Sequence, residues 1–214
     1  MARTAKEKAV DRLLMLYLLH DAFSRKGIGS VPETKLQKLV FLSERSMIGE
    51  REKGFNFYFI KLVYGPFSQE LEGDAKKLLE VGLVRGRGLH PTESAKVVLE
   101  DFRDVIERNN SFTQHVNTTN DEFADIPLHQ LLDIIHRMPW RRGKTIADVP
   151  MRTPMLYPMK PQNVSLEFNV TDEEAEDLLM NFDPKSVNVL VQAMKEMRSG
   201  KLRTCEQVFC GVPK

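Results

Sequence analysis

The stretch Ser68–Leu89 reads SQELEGDAKKLLEVGLVRGRGL. Leu71, Ala75, Leu78 and Leu79 recur in it at helical steps, which predicts a helix from Ser68 to Val81 with those residues buried and the Ser68 hydroxyl capping its first turn. Gly82-Leu83-Val84-Arg85-Gly86-Arg87-Gly88-Leu89 then predicts two very short strands around a basic turn, where glycine adopts positive φ without a steric penalty. A helix followed at once by a tight hairpin suggests a helical domain bearing a small β-wing.

The flanking residues extend this pattern. From Ala5 to Phe23, the residues Val10, Leu13, Leu14, Tyr17, Leu18 and Phe23 form a wide amphipathic stripe. Pro32 suits the first turn of a second helix, which runs to about Met47 with Leu36, Leu39 and Val40 inward and Lys35, Lys38 and Glu44 toward water. Phe55 to Ile60 is dense in aromatic residues and predicts an extended segment; Tyr64-Gly65-Pro66 predicts a turn. Downstream, Thr92 caps a helix whose packed side carries Val97, Val98, Leu99, Phe102, Val105 and Ile106. The expected fold is mainly α, of the α+β class: a winged helix-turn-helix-like domain over 1–108, followed by a smaller α/β extension.

Asn110 to Asp125 is polar and rich in Asn and Thr, so it predicts an exposed connection. The connector is expected to span 109–163. It holds one short helix from Pro127 to about Met138 and an irregular arm punctuated by Pro139, Pro150, Pro154, Pro158 and Pro161. The last segment, 164–214, opens with the period-two alternation of Val164–Val170, continues as an acidic helix capped by Thr171, and ends in short helices. Leu190, Met194, Val208 and Phe209 are its apolar contact candidates, to be buried on a partner or on the first domain.

The chain has 214 residues and a net charge of +1, so no global field draws it to a phosphate backbone or an anionic membrane. Charged side chains break up the first apolar stretch, so no signal peptide or membrane span is expected. Cys205 and Cys210 stand without a second pair, which fits neither a disulfide framework nor a zinc site and suits a reducing cytoplasm.

Within the predicted third helix Glu70, Glu72, Asp74 and Glu80 outnumber Lys76 and Lys77, which weighs against groove readout. Lys76, Lys77, Arg85 and Arg87 could still touch phosphate, and Gln69 could reach a base edge. His129, Asp133 and His136 share a helical side at a spacing able to hold a metal. Leu128, Leu131, Ile135 and Met138 define the opposite side, so the row reads as a solvated face, and no metal or cofactor is expected. Trp140 lies among Arg137, Arg141, Arg142 and Lys144, a composition suited to base stacking or to a protein hot spot, with burial against its own domain as the expected role. No phosphate loop, nucleophile elbow or zincin motif is present, so no enzyme is expected.

Lys35-Leu36-Gln37-Lys38-Leu39-Val40-Phe41-Leu42, the aromatic run Phe55–Phe59, Tyr64-Gly65-Pro66-Phe67-Ser68 and Leu83-Val84 together resemble the Panacea domain, the SocA-like and YwgA-like antitoxin family, over the N-terminal half. The resemblance implies a non-enzymatic antitoxin that neutralises a cognate toxin protein by direct contact, in some members also serving as an adaptor for a protease. It carries over only to Lys35, Leu36, Lys38, Leu39, Tyr64, Gly65 and Pro66. The chain departs from the family in its short Tyr-Gly-Pro-Phe-Ser form and in its long C-terminal extension, so toxin-contact positions do not transfer. The rival expectation is a winged-helix DNA-binding transcriptional regulator.

Overall fold

The computed structural model describes residues 3–141 and 143–183. In chain order its elements are α1 (Ala5–Ser24), α2 (Glu33–Gly49), β1 (Glu52–Lys53), β2 (Phe59–Leu62), β3 (Gly65–Phe67), α3 (Gln69–Glu80), β4 (Val84–Arg85), β5 (His90–Pro91), α4 (Glu93–Asp101), α5 (Arg103–Arg108), α6 (Asn110–Phe123), α7 (Leu128–Arg137), β6 (Pro154–Leu156), β7 (Leu166–Glu167) and α8 (Asp172–Asn181). The described part is mainly helical with a few small strands, an α+β architecture.

Helix α1 is the central post. Leu13, Leu14, Met15, Leu16, Leu18 and Leu19 are all fully buried, so the helix is covered on every side rather than along one stripe. Helices α3, α4, α6 and α8 and strand β5 supply the cover. Asp11, Arg12 and Asp21 of this helix are buried as well, and each finds a partner. Arg12 donates to Asp74 at 2.8 Å; Asp11 accepts from Arg3 at 2.6 Å and from the Asn56 backbone N–H at 2.8 Å. The Thr4 capping box fixes the start of α1.

Helix α2 corrects its amphipathic reading. Lys35, Lys38 and Glu44 are not turned to water but buried along with Leu36, Leu39 and Val40. Each lysine amine reaches a backbone carbonyl, Lys35 that of Ala124 at 2.5 Å and Lys38 that of Pro66 at 2.7 Å. The long aliphatic stems pack inside while the amines satisfy otherwise unpaired carbonyls.

The connection from α2 to α3 runs through Glu50–Ser68 and three strands, β2 lying at the end of the expected extended segment. Strand β2 is central in a three-stranded antiparallel sheet ordered β3-β2-β6, with Ile60 opposite Phe67 and Pro154. Ser68 caps α3 through the Leu71 N–H, as expected, but Leu79 lies partly open at the surface. Strands β4 and β5 form the expected hairpin, pairing Val84 with Pro91 and Arg85 with His90 around Gly86, whose φ is +68°. The helix expected after Thr92 breaks at Phe102 into α4 and α5, and Val97 is exposed rather than packed.

Asn110–Asp125 is not an exposed connection. It forms helix α6, which packs against α1 and α2 through Phe112, Thr113, Val116, Thr119 and Asn120. Asn120 is fully buried and donates from Nδ2 to the Leu18 carbonyl at 3.0 Å and to Asp21 at 2.8 Å. The strand read over Val164–Val170 shortens to β7, paired in parallel with β1, while Phe168 and Val170 turn inward. Helix α8 then docks on α1, so the described part of the C-terminal extension buries its apolar side on this chain. One hydrophobic cluster draws on 1–108, 109–163 and 164–183 alike. Among the described residues, no helix is long and apolar enough to cross a membrane.

Candidate functional site

The residues that carry the family resemblance meet in space. Register pairs Lys61 of β2 with Pro66 of β3, and the buried Lys38 amine donates to the Pro66 carbonyl from the other side. One residue earlier, Gln37 accepts from the Ser68 N–H at 2.9 Å and donates to the Ser68 carbonyl at 2.8 Å. Gly65 has φ +84° and lies against the His136 ring. Together these contacts clamp the Tyr64-Gly65-Pro66 turn between α2, α3 and α7. Leu36 and Leu39 are core residues, and of the whole motif Tyr64 alone is largely exposed, at 64%.

Burial pushes the Lys38 amine down to about 7, and the neighbouring Lys61 adds to the shift. Burial likewise lowers Lys61, and lowers the His136 imidazole with help from Lys61 and Lys38. Farther along α2, the Glu44 carboxyl is completely buried, and desolvation together with Asp11 and Glu70 raises it well above the ordinary range. Burial thus disfavours its charged form in the core.

The basic candidates are on the surface but differ in their ties. Gln69, Lys76, Lys77, Arg85 and Arg87 are all exposed. Lys76 is paired with Glu72 at 3.0 Å. Arg85 and Arg87 have no ion pair among the described residues and stand on the β4–β5 hairpin and its turn. The acids of α3 are largely consumed: Asp74 binds Arg12 and Arg3, Glu70 lies 3.6 Å from Arg3, and Glu72 holds Lys76. Two of the four acids counted in the sequence, Glu70 and Asp74, therefore face Arg3 and α1, while Glu72 and Glu80 remain on the outer side of α3.

The histidine row does not assemble as a unit. His129 and Asp133 are exposed, whereas the His136 Nε2 is buried against Gly65 without a hydrogen-bond partner. Among the described residues, no group of His, Cys, Asp and Glu side chains is placed to hold a metal ion. Trp140 is half-buried against the core with the Arg141 guanidinium 5.7 Å from its ring centre. Arg142, Leu190, Met194, Val208, Phe209, Cys205 and Cys210 lie outside the described residues.

The largest feature that sequence reasoning missed is the outer face of the β3-β2-β6 sheet. Phe59 and Lys61 point inward, so Tyr58, Ile60 and Leu62 point outward, and pairing puts Phe67 and Pro154 on the same side as Ile60. The Tyr58 and Tyr157 rings touch, with centres 5.3 Å apart. Val63 is 67% exposed at the β2–β3 turn, and Met151, also exposed, precedes the strand that completes the sheet. A cleft of about 330 Å³ opens beside this face, with Leu62, Tyr64 and Phe67 on its floor and Glu33 and Glu72 at its rim. Alternation within β2 was too short to see in the sequence, and β6 is hidden in a proline-rich arm. Scans of protein-family models, curated proteins and solved structures find no match to this chain.

Proposed function

We propose that this protein is a non-enzymatic, antitoxin-like binding module that neutralises a cognate toxin by direct protein contact. The observation that carries this reading is the set of exposed apolar and aromatic side chains on and around the small sheet: Tyr58 and Tyr157 in contact, Val63 and Tyr64 at the β2–β3 turn, and Met151 ahead of β6. Exposed tyrosine and methionine are enriched in protein-binding surfaces, and the adjoining cleft offers a pocket for an anchoring side chain. The likeness of the Lys35–Leu42 and Tyr64–Ser68 motifs to the Panacea antitoxins supports the same direction. The clamp on the Tyr64 turn holds the most exposed ring of the motif in place before a partner arrives, which lowers the ordering cost of binding.

The test is co-expression with the product of the adjacent gene. The wild-type chain should rescue growth and co-purify with that product, and a Tyr64→Ala/Tyr157→Ala variant should lose at least tenfold in affinity with unchanged thermal stability. Normal growth of cells expressing the neighbour alone would sink the reading.

A second reading, a winged-helix regulator, rests on Arg85 and Arg87, which have no ion pair among the described residues, and on the inward pairing of Glu70 and Asp74 on α3. A DNA-binding regulator of this kind would show affinity for its own promoter that falls steeply with salt and weakens on replacing both arginines by alanine.

A further inference from the structure

Where α6 lies along α2, the side chains of Ser46, His115 and Glu52 stand in line. The Ser46 hydroxyl is 2.8 Å from His115 Nδ1, and Glu52 Oε2 is 3.3 Å from Nε2 of the same ring. Three separate elements, α2, α6 and β1, bring them together. Ser46 is exposed, whereas the His115 and Glu52 side chains are only 16% and 13% exposed, so the serine is open to solvent and the groups behind it are shielded.

The carboxylate sets the role of the ring. Glu52 Oε1 accepts from the Ser111 hydroxyl at 2.5 Å, while Oε2 is buried without a hydrogen-bond partner and has the His115 Nε2 as its ion-pair neighbour. A proton on Nε2 answers that oxygen and leaves the Nδ1 lone pair for the Ser46 O–H. A hydroxyl held by an imidazole with a carboxylate behind it is the arrangement that activates serine as a nucleophile. Ser24 supplies the contrast: its hydroxyl lies 3.5 Å from His20 Nδ1 but donates to the His20 carbonyl at 2.7 Å. Ser46 also borders a groove of about 420 Å³ between α2 and α6, to which Leu42, Phe123 and Met138 contribute apolar wall.

We propose that Ser46 is a site of covalent acylation, taking a short apolar acyl group from an activated ester. Oγ bonds to the carbonyl carbon as its proton passes to His115 Nδ1, the alcohol part leaves as its oxyanion, and the imidazolium returns the proton to solvent; one ester is exchanged for another with no redox change. Glu52 is a positioning residue that acts through His115. Helix geometry commits the Ser46 N–H to the Leu42 carbonyl, so the nucleophile's own N–H is not an oxyanion donor for a second, hydrolytic step, whereas a good leaving group drives the first. The serine is therefore modified once and not turned over, which goes beyond the binding reading of the sheet face and does not rest on it.

The experiment treats the full chain with p-nitrophenyl butyrate, follows nitrophenolate release, and maps the adduct by mass spectrometry after proteolysis. The expected result is a butyryl group on Ser46, formed at least ten times faster than on Ser24, with a solvent deuterium isotope effect, and absent in Ser46→Ala. His115→Gln should slow the reaction at least tenfold and abolish the isotope effect. Glu52→Gln should slow it several-fold at unchanged melting temperature, and it decides the matter where His115→Gln does not fold. Acylation of Ser24 or of lysine amines as fast as that of Ser46, or a Ser46 rate that is the same in the wild type and in either folded variant, would overturn the proposal.

Discussion

Lys38 and Glu44 are two ionisable side chains on one helix, both placed where the surrounding core disfavours charge. Their effects on stability run in opposite directions with pH. Lys38 titrates near 7 in the folded protein against 10.5 in the unfolded chain, so between those values only the unfolded chain holds the proton and stability rises with pH. Lys38→Met removes that dependence: chemical denaturation from pH 7 to 10 should show a flatter profile for the variant. The Glu44 carboxyl keeps its proton above 4.5, where the unfolded chain loses it, so its contribution declines as pH rises from there. Glu44→Gln keeps the shape without the titration, and its melting temperature should exceed that of the wild type at pH 8 by a few degrees, with the gap closing toward pH 4. A wild-type advantage at pH 8 would show that the carboxylate is charged and paired. Gln37 matters in a different way, since it satisfies both backbone groups of Ser68. Gln37→Ala leaves the Ser68 N–H buried without that partner, although the carbonyl still accepts from the Glu72 N–H at 3.2 Å, and should cost about 1–3 kcal/mol.

Elements differ in how legible they were, and the difference has a physical source. The starts of α3 and α8 followed from caps that act locally, Ser68 and the Thr171 capping box, and those of α1 and α7 from apolar periodicity and from Pro127. The β4–β5 hairpin was equally readable because Gly86 must supply positive φ. Helix α6 was not, because its buried side is built from Thr113, Thr119 and Asn120 as much as from Phe112 and Val116, so its polarity resembled that of a loop. What favours it as a helix is tertiary: Asn120 donates to the Leu18 carbonyl and to Asp21 of α1. Asn120→Ala should therefore cost about 1–3 kcal/mol despite the small change in volume. The contact between β1 and α6 is similarly tight. A Cβ on Gly54 would lie 2.6 Å from the Met47 sulfur and 2.9 Å from a Phe112 ring carbon, so Gly54→Ala should destabilise by about 1–3 kcal/mol through overpacking, read as a lower urea midpoint with unchanged m.

Across the whole molecule, α1 sets the organisation. A helix buried on every side needs cover from both ends of the chain, and α6 and α8 provide what α3 and α4 leave open. The sequence pattern pointed to helices and a small wing but could not show that the C-terminal extension folds back, because β7 and α8 find their partners far away in the chain. The candidate surfaces were legible by the same rule. Arg85 and Arg87 lie in a local hairpin and were found, whereas the aromatic sheet face joins Tyr58 to Tyr157 and exists only once β6 pairs with β2. The motif residues Lys35, Lys38, Gly65 and Pro66 proved to be internal: Lys38 ties down the Pro66 carbonyl beside Tyr64, and Lys35 ties down that of Ala124. The most direct test of binding through the sheet face is titration calorimetry of the adjacent gene's product against the wild type, Tyr64→Ala/Tyr157→Ala and Arg85→Ala/Arg87→Ala. Binding lost at least tenfold in the tyrosine variant and retained in the arginine variant is the predicted result; equal affinity for the wild type and the tyrosine variant would contradict it.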